Sequence, residues 1–310
     1  MIVSVVPINE EYVKSIECKT GERIHVYAGI KEAMDVLPEA EIVIGFIDGN
    51  IIEICSSLKW LFILSAGVEM LPFALLEKKG ITVTNVRGIH APQIAEQTMG
   101  MMIIFSRRLN QFMRNQGKKI WDKGIDVDEL TGKTVCIIGA GSIGMEIARK
   151  AKAFDMRVIG LKKDSRALKY FDEVWDASML HKALNQSDYN VLITPLTDET
   201  YHLIGQNEFE AMKRSSVFIN MSRGDTVDEE AMVNALLSRR IAGAGLDVFH
   251  EEPLSADSPL WNMDNVVITS HIAGKSPHYM KRSIDIFEQS LIYYRQGMPL
   301  PNIINLLRKY

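Results

Sequence analysis

The sequence predicts an α/β protein built from two doubly wound parallel sheets, and three observations carry that prediction. Apolar strand-like runs alternate with helical patterns along almost the whole chain, which argues for parallel strands covered by helices. The pattern restarts after Gly139 and passes through six further strand-like segments, enough for a second self-contained unit. The restart coincides with Gly139-Ala140-Gly141-Ser142-Ile143-Gly144, a GxGxxG run that joins an apolar strand-like stretch to a helical one.

Taken in order, Met1 to Pro7 lacks the basic region that opens a secretory leader and reads as a first strand. Ile42-Val43-Ile44-Gly45-Phe46, Trp60-Leu61-Phe62-Ile63-Leu64 and Ile81-Thr82-Val83-Thr84 are apolar or β-branched runs of strand length. One long helix is expected from about Pro92 to Gln116. The second unit supplies strands at Thr134 to Ile138 and near Val158, Val174, Val191, Val217, Gly245 and Val266. A last apolar-periodic helix, from about Tyr279 to Tyr294, is expected to cross back to the first unit, which otherwise holds only about a hundred residues. The expected domains are therefore 1–97 with 280–310, and 98–279, with a cleft between them where ligands bind.

The bulk properties narrow the function. With 310 residues, 47% of them hydrophobic, the chain can form two cores. Its 35 basic residues nearly balance 39 acidic ones, and the net charge of -4 gives no excess positive field for nucleic acid or an anionic membrane. Cys18, Cys55 and Cys136 are odd in number and widely spaced, so neither a disulfide framework nor a metal site is expected. The longest apolar run, Met99 to Phe105, is far too short to span a bilayer. A cytoplasmic, small-molecule protein is the resulting expectation, with no domain added after Tyr310.

Within the glycine run, Gly139 permits the turn, Gly141 lets the backbone approach a phosphate, and Gly144 lets the helix pack close to the sheet. The amides of Ser142 and Ile143 then open a helix whose dipole favours an anion, the arrangement that holds a dinucleotide pyrophosphate. The acidic residue that takes the adenosine ribose of NAD belongs about twenty residues on. Here Lys162 stands in its place, and with Lys163 and Arg166 it suits the 2'-phosphate of NADP. Asp164 keeps NAD open, because a turn shifted by two residues brings it to the ribose.

Three later segments sharpen the reading: Asn220-Met221-Ser222-Arg223-Gly224, Gly245-Leu246-Asp247-Val248-Phe249-His250-Glu251-Glu252-Pro253-Leu254, and Thr269-Ser270-His271-Ile272-Ala273-Gly274. Asn85-Val86-Arg87-Gly88 with Ala95-Glu96, Leu130-Thr131-Gly132-Lys133-Thr134, Pro195-Leu196-Thr197-Asp198-Glu199-Thr200 and Ser258-Pro259-Leu260-Trp261 accompany them. Their order and spacing resemble those of the D-isomer-specific 2-hydroxyacid dehydrogenases, of the glyoxylate/hydroxypyruvate reductase and phosphoglycerate dehydrogenase type, over nearly the whole chain. The resemblance implies a flavodoxin-like substrate domain beside a Rossmann dinucleotide-binding domain. It places the catalytic group at Arg223, Glu252 and His271, cofactor contacts at Pro195, Thr200 and Asp247, and a substrate loop at Ala66 and Gly67. It further implies a homodimer joined through the Pro92 to Gln116 helix and the segment through Trp121, whose ring reaches the partner's pocket in some relatives.

The side chains suit that chemistry. A guanidinium at Arg223 forks onto the carboxylate of a 2-keto acid and polarises the adjacent carbonyl. An imidazolium at His271 gives a proton to the oxygen that gains charge as hydride arrives, and Glu252 on the other ring nitrogen favours that donor form. Singly, each has a plainer reading: a neutralising charge, a turn residue before Pro253, a hydrogen-bonded strand end. Asp247 likewise has an open alternative as a buried hydrogen-bonding group, and Trp121 as core. His90, His181, His202, His250 and His278 are assigned surface or structural roles. Ser270 departs from the family, where proline often precedes the histidine, so His271 is expected to be less firmly placed. The expected activity is NAD(P)H-dependent reduction of a small 2-keto acid such as glyoxylate or hydroxypyruvate. The alternatives are a dinucleotide-sensing interaction protein of the corepressor type on the same fold, and oxidation of formate or phosphite.

Overall fold

Residue contacts divide the chain into two units, Met1–Ile89 with Ser276–Tyr310, and His90–Lys275. The computed structural model describes all residues except Ala66, Glu69, Ser165 and 307–310. The boundaries drawn from sequence at 97/98 and 279/280 thus move to 89/90 and 275/276. The physical reason is that 97/98 would cut a continuous helix, Ala91–Ser106, whose buried apolar residues from Ile94 to Phe105 lie in the core of the second unit.

The first unit runs β1 (Ile2–Ser4), α1 (Glu10–Thr20), β2 (Ile24–Val26), α2 (Ile30–Ala33), β3 (Ile42–Ile44), α3 (Gly49–Ile54), β4 (Trp60–Ile63), α4 (Phe73–Lys78) and β5 (Thr82–Asn85). All pairs are parallel, in the order β2-β1-β3-β4-β5, the doubly wound order of flavodoxin-like sheets. β1, β3 and β4 are buried along their whole length, which is why their sequences are apolar without alternation. Helix α1 starts where the Asn9 side chain accepts from the Glu11 amide and stops at Gly21, in the left-handed region at φ 73°. The C-terminal helix, Tyr279–Arg295, packs against this sheet: Phe287 and Tyr294 stack on Trp60 with ring centroids 5.4 and 5.1 Å away.

In the second unit the helix expected from Pro92 to Gln116 is two helices, α5 (Ala91–Ser106) and α6 (Leu109–Gly117). The break falls at Arg108, whose φ of 53° ends the α5 hydrogen-bond ladder and starts a new one. The chain continues through β6 (Thr134–Ile138), α7 (Ser142–Ala153), β7 (Arg157–Leu161), β8 (Glu173–Trp175), α8 (Leu180–Gln186), β9 (Tyr189–Leu192), α9 (Gln206–Ala211), β10 (Val217–Asn220), α10 (Glu229–Leu237), β11 (Gly243–Leu246) and β12 (Val266–Ile268). The sheet is parallel, in the order β12-β11-β10-β9-β6-β7-β8. The strand order reverses between β6 and β9, and open sheets of this kind bind ligands at the carboxyl ends beside that reversal. Among the described residues no helix is long and apolar enough to cross a membrane.

Candidate active site in the second unit

The glycine run occupies the reversal. Gly139 has φ 107°, and a Cβ there would come 2.9 Å from the Ile193 carbonyl, so only glycine lets the loops after β6 and β9 meet. At Gly144 a Cβ would lie 2.7 Å from the Gly139 oxygen, which ties the first turn of α7 to the strand end. Gly141 is the α7 N-cap; no side chain caps it, and a Cβ there would meet nothing within 4 Å. Gly141 and Ser142 are exposed and Ile143 is partly exposed, so the helix terminus is open to a phosphate group. In the facing loop, Thr200 Oγ1 donates to the Pro195 carbonyl at 2.6 Å and accepts from the Thr197 amide at 2.8 Å. The buried Thr194 hydroxyl beside it has no hydrogen-bond partner among the described residues. An open helix terminus next to an unpaired buried hydroxyl fits a dinucleotide.

Arg223, Glu252 and His271 follow three neighbouring strands. Asn220 is level with Leu246, and Leu246 with Ile268, so the segments after β10, β11 and β12 emerge on one edge of the sheet. His271 Nδ1 and Glu252 Oε2 are 2.6 Å apart, and Glu252 Oε1 accepts from the Phe249 amide at 3.1 Å. Gly224 presses on that segment so closely that a Cβ would overlap the Phe249 carbonyl. The next residue, Asp225, pairs with His250 Nδ1 at 2.5 Å and holds that imidazole above its ordinary range. The Arg223 and Glu252 segments are therefore packed side by side, and Arg223 Nη1 donates to the Ser222 carbonyl at 2.9 Å.

Asp247 takes the buried role that the sequence left open. Only 2% exposed, its carboxylate accepts from the Ile272 and Ala273 amides, from Thr269 Oγ1 and from Gln97 Nε2. Gln97, Gln93 and His90, all on or next to the first half of α5, were not singled out by sequence as part of a site. Burial, and then the Arg223 charge, push the His90 imidazole below its ordinary range, which places it within electrostatic reach of the guanidinium. Its position after Gly88 and before Pro92 carries no chemical signal of its own.

At the adenosine end, Lys162 is the first residue beyond β7 and makes no ion pair among the described residues. Lys163 pairs with Glu199, and Arg166 Nε donates to Asp164 Oδ2 at 2.7 Å. The expected three-cation cluster is thus partly neutralised; Lys162 makes no ion pair of its own, though after the Arg166 hydrogen bond its charge helps hold the Asp164 carboxyl below its ordinary range. In the first unit, Gly67 follows β4, and its carbonyl accepts from Ser65 Oγ at 2.6 Å; Ala66 lies outside the described residues. Trp121 is 88% exposed and packs in no core. Among the described residues no group of three His, Cys, Asp or Glu side chains could hold a metal ion.

Residues 99–273 match the profile of the D-isomer specific 2-hydroxyacid dehydrogenase NAD binding domain. The chain is similar to a glyoxylate reductase of Korarchaeum cryptofilum, 35% identical over 269 residues that cover 84% of this chain and 80% of the relative. A D-isomer specific 2-hydroxyacid dehydrogenase family protein of Aeromonas salmonicida superposes with a TM-score of 0.84 at 30% identity, over 98% of each chain. An NADPH-dependent glyoxylate/hydroxypyruvate reductase of Sinorhizobium meliloti, solved with NADP and sulfate, gives 0.82 at 25% identity, over 100% of this chain and 99% of the other.

Proposed function

Since the chain belongs to the D-isomer-specific 2-hydroxyacid dehydrogenase family, NAD(P)-dependent enzymes acting on a CH–OH group, we propose that it reduces a small 2-keto acid of the glyoxylate or hydroxypyruvate type. The observation that carries this reading is the 2.6 Å His271–Glu252 pair, on the sheet edge where the Arg223 segment also emerges. When bound, the nicotinamide ring supplies hydride to the carbonyl carbon. Arg223 holds the keto-acid carboxylate by a planar fork and draws charge toward the carbonyl oxygen. Glu252 occupies Nδ1 of His271, leaving Nε2 to pass a proton to that oxygen; the products are a D-2-hydroxy acid and a neutral imidazole. The reverse reaction returns the proton to Nε2. Pro195, Thr200 and the helix terminus at Gly141 to Gly144 are the proposed cofactor contacts, Asp247 offers its buried carboxylate to the carboxamide end, and Ala66 and Gly67 are the proposed holders of the substrate carboxylate.

NADPH is the proposed preference. Lys162 supports it, standing at the strand end without an ion pair among the described residues, and so does Asp164, whose carboxylate is already held by Arg166. The Sinorhizobium meliloti protein was solved with NADP. A homodimer is the proposed assembly.

A panel of 2-keto acids assayed with both reduced cofactors tests the reading. Turnover of glyoxylate or hydroxypyruvate is expected, with reduction favoured by acid and oxidation by base because His271 must start protonated in one direction and neutral in the other. If neither cofactor is oxidised by any of the acids, the sensor alternative gains. Lys162→Asp is expected to move the NADPH to NADH preference by roughly ten- to a hundredfold, the worth of one charge-assisted contact. An unchanged ratio would remove Lys162 from the phosphate site.

A further inference from the structure

We propose that Gln97 is the positioning residue for His271, acting through Asp247; the inference rests on reading His271 as the proton donor. The histidine sits at φ 51°, a left-handed conformation that a side-chain-bearing residue keeps only where its surroundings enforce it. The enforcement comes from Asp247. Its carbonyl accepts from the His271 amide at 2.7 Å, its Oδ1 from the Ile272 amide at 3.1 Å, and its Oδ2 from the Ala273 amide at 3.0 Å. The loop is wrapped around one buried aspartate.

A buried carboxylate holds a loop only if its own donors are in place. Gln97 supplies the side-chain donor that comes from another element: its Nε2 donates to Asp247 Oδ1 at 2.9 Å and to Thr269 Oγ1 at 2.7 Å. Thr269 passes its own hydroxyl hydrogen to the same Oδ1. Because an ionised carboxylate only accepts, it also fixes which end of the amide faces it. One turn earlier on the same face of α5, Gln93 Nε2 donates to the Gly274 carbonyl at 3.0 Å. Beside it the His90 ring lies against Gly274, where a Cβ would be 3.1 Å from Cδ2. One helix face therefore clasps both ends of the loop, and Ser270 needs no proline-like stiffness because α5 supplies the constraint.

The test compares Gln97→Leu, Gln97→Glu and His271→Ala with the unaltered enzyme. Gln97→Leu is expected to lower kcat for keto-acid reduction by about tenfold or more, since small misplacements of a catalytic group are costly. The dinucleotide Kd and keto-acid KM should stay within about twofold, because the proposed pyrophosphate and ribose contacts and Arg223 do not pass through Asp247. In Gln97→Glu the new group faces Asp247, the ionised side chain packed against position 97, with His90 two turns away on the same face. Acid protonates the new carboxyl and restores a donor, so its kcat relative to the unaltered enzyme should rise as pH falls, while the Gln97→Leu ratio stays flat. Unchanged kcat in Gln97→Leu, alongside loss of turnover in His271→Ala, would overturn the positioning role and leave the proton donor standing. Full kcat in His271→Ala would overturn both. A dinucleotide Kd that weakens in step with kcat would assign Gln97 to cofactor binding instead.

Discussion

A guanidinium carries five donors in one plane, and at Arg223 the bond from Nη1 to the Ser222 carbonyl helps set that plane. Charge alone does not reproduce the fork. Arg223→Lys is therefore expected to lower kcat/KM for the keto acid by roughly ten- to a hundredfold, with dinucleotide affinity unaltered; steady-state kinetics and a cofactor titration measure the two separately. A parallel drop in dinucleotide affinity would move Arg223 out of the substrate site. His90 gives a prediction about stability. Burial, with Arg223, holds its folded-state pKa below the unfolded value, so the unfolded chain binds a proton that the folded one refuses. Stability from this group is complete above about pH 6.5 and declines as pH falls toward the folded value. Melting curves of His90→Gln should accordingly fall less steeply between about pH 7.5 and 5.5 than those of the unaltered protein, and parallel curves would contradict the burial account.

At the scale of elements, legibility follows the range of the interactions. β3, β4 and β6 announce themselves as continuous apolar runs because both of their faces are covered. β2 has only three residues, Ile24-His25-Val26, and too little pattern to be recognised. The glycine run was readable because its turn, close approach and helix start are local in sequence. Gln97 was not: its partners Asp247 and Thr269 are 150 and 172 residues away, a contact that a single sequence does not encode as a pattern. The kink at Arg108 was hidden because helical periodicity continues on both sides of it. The C-terminal helix, by contrast, was traced to the first unit by size alone, and Phe287, fully buried, is its anchor against Trp60 and Phe62. Phe287→Ala should remove about 3–5 kcal/mol of stability in denaturant unfolding. The glycine loop lies among the cores of the other unit, so dinucleotide affinity at 25 °C should not change. Weakened binding would show that the first unit's packing controls the cofactor site.

For the molecule as a whole, the proposed homodimer follows from surface that one chain leaves uncovered. Helix α6 buries none of its residues, yet Leu109, Phe112 and Met113 recur at the spacing of one helical face, and Met113 is 63% exposed. Ile120 and Trp121, just past the end of the helix, are exposed as well. Monomeric proteins rarely expose contiguous apolar patches of large extent, and a two-fold contact covers such a patch with its own copy. The unaltered protein should therefore sediment at twice the mass of its 34.9 kDa chain. A double substitution, Met113→Glu with Trp121→Ser, should give the single-chain mass by burying two charges against each other wherever the faces meet. Dinucleotide affinity should be retained, because the glycine loop does not include these residues. Turnover separates two versions of the assembly: if kcat falls with dissociation, Trp121 serves the partner's pocket, whereas full kcat in the monomer confines the contact to stability. A variant that still sediments as a dimer would place the interface elsewhere on the chain.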